Sequence, residues 1–235
     1  MKNFIHTCTC LLFIVVGLSC KKSTSNPNTV KDIDGNVYKT VTIGNQTWMA
    51  ENLRTKTYRN GESIPLITDP LAWTTTNSGA YRGPYYADKL EYGNFYNWYA
   101  VSDPRNIAPE GWHVATDADY TELATFLGGA NVAGDKLKET GTTHWPSPNN
   151  GATNETGFSA IGAGVIDGTN GEVGLPWLNT SYISWTSTLK MGTNYPYIYK
   201  INNISGNLAQ VGSEQILPAA EPRKHGCSVR CVKDK

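Results

Sequence analysis

Apolar and polar residues alternate from Lys31 to Met49 around the turn pairs Asp34-Gly35 and Gly44-Asn45, a period of two that predicts a β-hairpin. Met49 to Arg54 predicts a short helical turn, after which Gly, Pro, Ser and Thr dominate a long irregular stretch to about Gly93. The aromatic run Phe95 to Val101 suits a short helix or a buried strand equally, because periodicity does not separate the two. The clearest helix starts behind Thr116, an N-cap residue followed by Asp117 and Asp119 in the first turn, where carboxylates complement the helix dipole. Tyr120, Leu123, Ala124 and Leu127 then repeat at i, i+3, i+4 and i+7, and Gly128-Gly129 closes the helix. A weaker helix is expected around Gly134 to Thr140. From Gly157 onward, Phe158 to Ile166, Tyr182 to Ser187, Tyr197 to Ile201 and Ser228 to Val232 read as strands between Gly and Asn turns. Strands, one or two short helices, then strands again predict an α+β fold in a single domain with twisted, mostly antiparallel sheets.

The first twenty residues follow a different pattern. Lys2 precedes an apolar run that ends at Leu18, and small Ser19 stands before Cys20. Such a run is short of the roughly twenty apolar residues that span a bilayer, and Lys21-Lys22 follows at once. Residues 1–19 are therefore expected to be a lipoprotein signal peptide, with Cys20 the lipid-bearing residue, although Gly17 occupies the place where such signals prefer Leu. Residues 20–29 are polar and aperiodic and read as a flexible tether, and 30–235 as the folded domain. The expected location is the cell envelope, on the outer membrane. No acidic cluster follows Cys20, so the periplasmic or surface side stays open.

Composition narrows the function classes. The charged fraction of 17% lies below the usual quarter, and the part after residue 19 carries 19 basic against 20 acidic residues, which excludes bulk electrostatic recruitment of nucleic acid. No Ser/His/Asp order, phosphate loop, His-Glu-x-x-His or Cys-x-x-Cys pair occurs. No catalytic residues are assigned.

Seven ordered blocks, Asp32 to Tyr38, Thr47 to Arg54, Tyr96 to Ala100, Pro109 to Val114, Ala152 to Phe158, Ser184 to Thr188 and Ser228 to Val232, make the chain resemble the Fibrobacter succinogenes major paralogous domain family. Members are typically secreted or lipid-anchored proteins of Bacteroidetes and related bacteria, and the resemblance brings no assigned activity. More distantly, the block order is similar to C-type-lectin-like folds, which include the formylglycine-generating enzymes. The family resemblance implies a cysteine in the place of Ala108, bridged to the counterpart of Cys231. This chain lacks it, and no disulfide is expected. Cys227 and Cys231 lie about 13 Å apart on an extended strand, against the roughly 7 Å that a bridge allows, so two free or loosely reactive thiols are expected. The same spacing disfavours a copper(I) thiol pair of the kind the enzymatic likeness would imply.

Trp48, Trp98, Trp112 and Trp185 sit inside family blocks and are expected in the core. Trp73, Tyr81, Tyr85, Tyr86, Trp145 and Trp177 lie in Gly- and Pro-rich loops and are the candidates for stacking on a ligand, a sugar ring above all. Asp32, Asp34 and Asn36 resemble the start of a calcium loop that no closing glutamate completes, and an Asp-Gly hairpin explains them more simply. Asp167, Asn170 and Glu172 offer hard oxygen ligands for a structural calcium, against ordinary turn chemistry. No other cofactor is expected. His113 reads as a core or rim histidine.

The expectation is a non-enzymatic, lipid-anchored binding module that presents loops to a glycan or protein partner. A structural or adhesin subunit of the envelope is the alternative, and an enzyme on polysaccharide or peptide cysteine the third reading. A carboxylate-lined cleft would favour the enzyme, an exposed apolar patch the structural subunit, and an aromatic, polar loop face the binding module.

Overall fold

A computed structural model describes residues 28–84, 88–174, 178–215 and 221–235. Strands β1 (Thr29–Lys31), β2 (Val37–Ile43) and β3 (Gln46–Met49) form two successive antiparallel hairpins, Val41 facing Trp48 across the second. Asp32 closes the first turn from inside: its carboxylate accepts from Asn36 N–H at 2.9 Å, from Asn36 Nδ2 at 2.8 Å and from Tyr38 Oη at 2.6 Å. Turn chemistry therefore uses the acid that a calcium loop would have needed. Gly35 and Gly44 take the positive φ values that the two turns require.

Between residues 50 and 111 the chain adds helix α1 (Pro70–Thr75), the ribbon β4 (Tyr81–Arg82) with β5 (Phe95–Tyr96), and the single turn α2 (Trp98–Val101). The aromatic run expected as strand or helix is both in succession, with Asn97 as the hinge: its Oδ1 caps α2 by accepting from Ala100 N–H. The expected helical turn at 49–54 does not form. Leu53 N–H donates instead to Val229 O at 2.9 Å, so tertiary pairing outcompetes local helix there.

Strand β6 (Trp112–Val114) leads into α3 (Asp117–Phe126), whose Thr116 and Asp119 make a reciprocal capping box and whose Tyr120, Leu123 and Ala124 are buried with Leu127 just beyond. Helix α4 (Ala130–Leu137) follows directly. The stretch 158–166 was expected as a strand but makes only isolated bridges, Ala160 to Lys138 and Ile166 to Val173 and Gly226. Positive φ at Gly157, Ser159 and Gly164 breaks the extension that a ladder needs. Strands β7 (Ser181–Leu189), β8 (Pro196–Asn202) and β9 (Ala209–Gly212) form a second antiparallel sheet, the last unexpected because Ala209, Gln210 and Gly212 carry little strand signal.

Strand β10 (Cys231–Lys233) inserts between β3 and β6, giving the order β1-β2-β3-β10-β6. The two ends of the described chain thus meet in one sheet. The result is α+β with antiparallel strand pairing, as expected. The core packs Trp48 against Tyr120 at 5.0 Å and Phe158 at 5.6 Å between ring centres, and stacks Tyr120 on Tyr199 at 4.2 Å. No helix of the described residues is long and apolar enough to cross a membrane.

Candidate functional site

Three loops that follow separate elements converge on an open cleft of about 460 Å³. Glu51, two residues past β3, accepts from Lys39 N–H at 2.9 Å through one oxygen and pairs with Arg54 Nη1 at 2.7 Å through the other. Burial alone would raise its carboxyl, but these donors outweigh it and hold the group below its usual range. Glu139 follows α4, and Asn149 Nδ2 holds its backbone carbonyl at 2.7 Å. Glu91 comes from a 3-10 turn, Leu90–Tyr92. His144 stands between the last two, Nδ1 2.7 Å from Glu139 Oε2 and Nε2 3.5 Å from Glu91 Oε1, with its ring edge-on to Tyr92 at 5.1 Å. A second cavity of about 230 Å³ shares Glu91 and His144 with the first and adds Lys89 and Asn179, so the two form one groove. Its lining carries three carboxylates, Glu51, Glu91 and Glu139, beside Lys39 and Lys89, and the fully buried Arg230 underlies it.

Such a lining takes N–H and O–H donors from a ligand. A proton donor of the kind that glycoside cleavage demands needs a carboxyl raised towards neutrality, and Glu51 moves the other way. Ser159 at the cleft wall is committed: its hydroxyl oxygen accepts from Asn154 Nδ2 at 2.9 Å. Among the described residues no three His, Cys, Asp or Glu side chains converge as a metal site would need.

The family model for the Fibrobacter succinogenes major domain matches residues 41–233, nearly the whole described fold. The chain belongs to that family. No curated protein and no solved structure matches it. Within this Fibrobacter succinogenes major domain, the groove draws Glu51 from one of the blocks that carried the resemblance, while Glu91, Glu139 and His144 lie outside them.

The residues singled out from the sequence fare differently. Trp73 and Trp145 are buried, which removes both as stacking platforms: α1 turns Trp73 inward so that Nε1 donates to Lys224 O at 2.8 Å, and Trp145 Nε1 donates to Ala160 O at 3.0 Å. Tyr81 is buried as well. Cys20, Tyr85, Tyr86 and Trp177 lie outside the described residues. Trp48, Trp98, Trp112 and Trp185 are in the core, as expected. Asp167, Asn170 and Glu172 do come together, in a turn: Asp167 Oδ1 accepts from Thr169 N–H and hydroxyl, Asn170 Oδ1 accepts from Glu172 N–H, and Asp167 N–H donates to Glu172 O. Cys227 and Cys231 are free, yet both are fully buried and burial pushes both thiols up, so they are inert rather than loosely reactive. The groove was missed because its acids are separated by dozens of residues. The one local signal was His144 five positions after Glu139 in a Gly- and Pro-rich loop.

Proposed function

We propose that this Fibrobacter succinogenes major domain is a non-enzymatic binding module, C-type-lectin-like in architecture and held on the outer membrane by lipid on Cys20, whose groove engages a protein partner. The carrying observation is the pairing of an acceptor-lined groove with the burial of every described tryptophan. Sugar recognition relies on exposed rings that stack on the sugar face, and Trp73 and Trp145 are not exposed; backbone N–H groups and side-chain donors of a peptide suit the carboxylates better. The leader, with Lys2, its apolar run and Cys20, supports export and lipid attachment. Strand β10 seated between β3 and β6 supports the lectin-like architecture.

The carboxylates also serve the enzymatic reading, in which the groove would cleave polysaccharide. Glu51, fixed as an ionised acceptor, argues for holding a ligand over protonating one.

The test places a photo-crosslinking amino acid at Thr40 on the groove wall and, as control, at exposed Met191, which does not line the groove. A discrete protein adduct in the intact envelope from Thr40, absent from Met191 and weakened by Glu139→Gln, is the expected result. Saturable binding on a glycan array without any adduct would transfer the groove to a sugar. Release of reducing ends from a polysaccharide would make the protein an enzyme.

A further inference from the structure

His113 on β6 has a carboxylate at each ring nitrogen: Nδ1 lies 2.7 Å from Asp234 Oδ1 and Nε2 lies 3.0 Å from Asp119 Oδ2. The two acids come from different elements. Asp119 sits in the first turn of α3, where the same oxygen also accepts from Thr116 N–H at 2.8 Å and from the Thr116 hydroxyl. Asp234 lies just past β10, its N–H donating to Gly111 O at 2.9 Å, and is 52% exposed. We propose that Asp119, His113 and Asp234 form a pH-operated clasp, which fastens the C-terminal end of β10 to α3 while the imidazole carries two protons and releases that end when it carries one.

An imidazolium donates from both nitrogens and satisfies both carboxylates, whereas a neutral ring has one N–H and turns a lone pair to the other acid. Asp119 keeps its Thr116 donors in either state, so the carboxylate that lets go is that of Asp234, which can turn to water. The remaining neighbours do not compensate. Gln46 of β3 and Thr116 touch the Asp119 carboxylate without bringing charge. Lys235 is directed to Glu122 at 3.4 Å, and Lys233, one position on from the Val232 that pairs with His113, projects from the opposite face of the sheet.

The titration directions agree with the geometry. The hydrogen bond to Asp119 raises the His113 pKa most, desolvation opposes it, and Asp234 adds to the rise. Burial would raise Asp119, but the His113 and Thr116 hydrogen bonds outweigh that and hold it at about 2. A raised histidine stabilises the fold fully below the free imidazole value of about 6.5 and loses that contribution as pH climbs through the folded value. Asp119 stays ionised across this window, so the histidine is the switch.

Proton NMR of the imidazoles, with amide exchange of Asp234 corrected for its intrinsic pH dependence, tests the clasp. His113 is expected to titrate above about 6.5, and Asp234→Asn to lower that value. Protection of the Asp234 amide should fall about tenfold between roughly pH 6 and pH 9. In His113→Gln protection should stay at the low, open value throughout. A His113 pKa at or below about 6.5, a pKa that Asp234→Asn leaves in place, or Asp234 protection that is flat while His113 titrates would each overturn the clasp.

Discussion

Arg230 and Lys138 are both fully buried cations held chiefly by backbone carbonyls, and they do opposite jobs. Arg230 stands at the meeting of the first and last parts of the chain. Its Nε donates to Asn52 Oδ1 at 2.7 Å, Nη1 to Met49 O at 3.0 Å and Phe158 O at 2.8 Å, and Nη2 to Ser159 O at 3.0 Å, with the guanidinium 4.5 Å from the Phe158 ring. Lys138, the C-cap of α4, sends Nζ to Asn150 O at 2.5 Å and Ser205 O at 3.4 Å on loops and to Asn202 O at 3.5 Å at the end of β8, with Asp135 Oδ1 at 3.2 Å. A planar fork with five fixed donors suits the rigid interior, where each acceptor has one direction. A point charge with three rotatable donors suits loops whose carbonyls approach from scattered angles. Among the described residues no carboxylate ion-pairs with Arg230, so carbonyls, an amide and aromatic rings carry its charge.

The sharpest break of that contrast is Arg230→Met. It strands four acceptors, three of them on the fully buried residues Asn52, Met49 and Phe158, and a cost of about 3–5 kcal/mol is expected in urea unfolding. Arg230→Lys should recover little of it, because one ammonium cannot reach Asn52, Met49, Phe158 and Ser159 together. If Arg230→Met unfolds at nearly the wild-type midpoint, Arg230 is not the pin between the sheet and residues 158–159.

Lys138→Met comes next, at about 1–3 kcal/mol. Asn150 is exposed and Asn202 and Ser205 are half-buried, so water can replace the lost donors. The loss should stay local: amide exchange should quicken around residues 149–153 and 203–206 and leave β3 and β10 unchanged. Equal loosening of both regions would erase the distinction between the two cations.

Much of the frame that Arg230 pins was legible in the sequence, and little of what Lys138 holds was. Alternation through Val41 and Trp48, the Thr116 cap and the period of Tyr120, Leu123 and Ala124 are local signals, and each element formed where they stand. Trp73 and Trp145 misled because Gly- and Pro-rich surroundings mark exposure only statistically. The partner of Trp73 lies 151 positions away, beyond the reach of any local window. Charge gave no guide either: arginine and lysine are ordinarily exposed, and only the donors and acceptors that tertiary structure brings together explain the burial of Arg230 and Lys138. The groove belongs with this unread part, since Glu51, Glu91 and Glu139 meet only once the loops are folded.

The smallest effect separates the two cations most cleanly. Asp135 gives Lys138 a carboxylate that Arg230 lacks, but its side chain is 32% exposed and Oδ1 meets Nζ as an ion pair outside hydrogen-bond geometry. Nζ keeps its three carbonyl partners without that pair, so Asp135→Asn, which keeps the shape between Gly151 and Gly206, should cost less than about 1 kcal/mol. Raising salt from about 0.05 to 0.5 M should shrink that difference further, since the screening length falls several-fold. The cost of Arg230→Met should move less with salt, because its hydrogen-bond partners are dipoles rather than charges. A salt-insensitive Asp135→Asn penalty of several kcal/mol would mean that the Lys138 site is held by charge as the Arg230 site is not, and that its carbonyls are secondary.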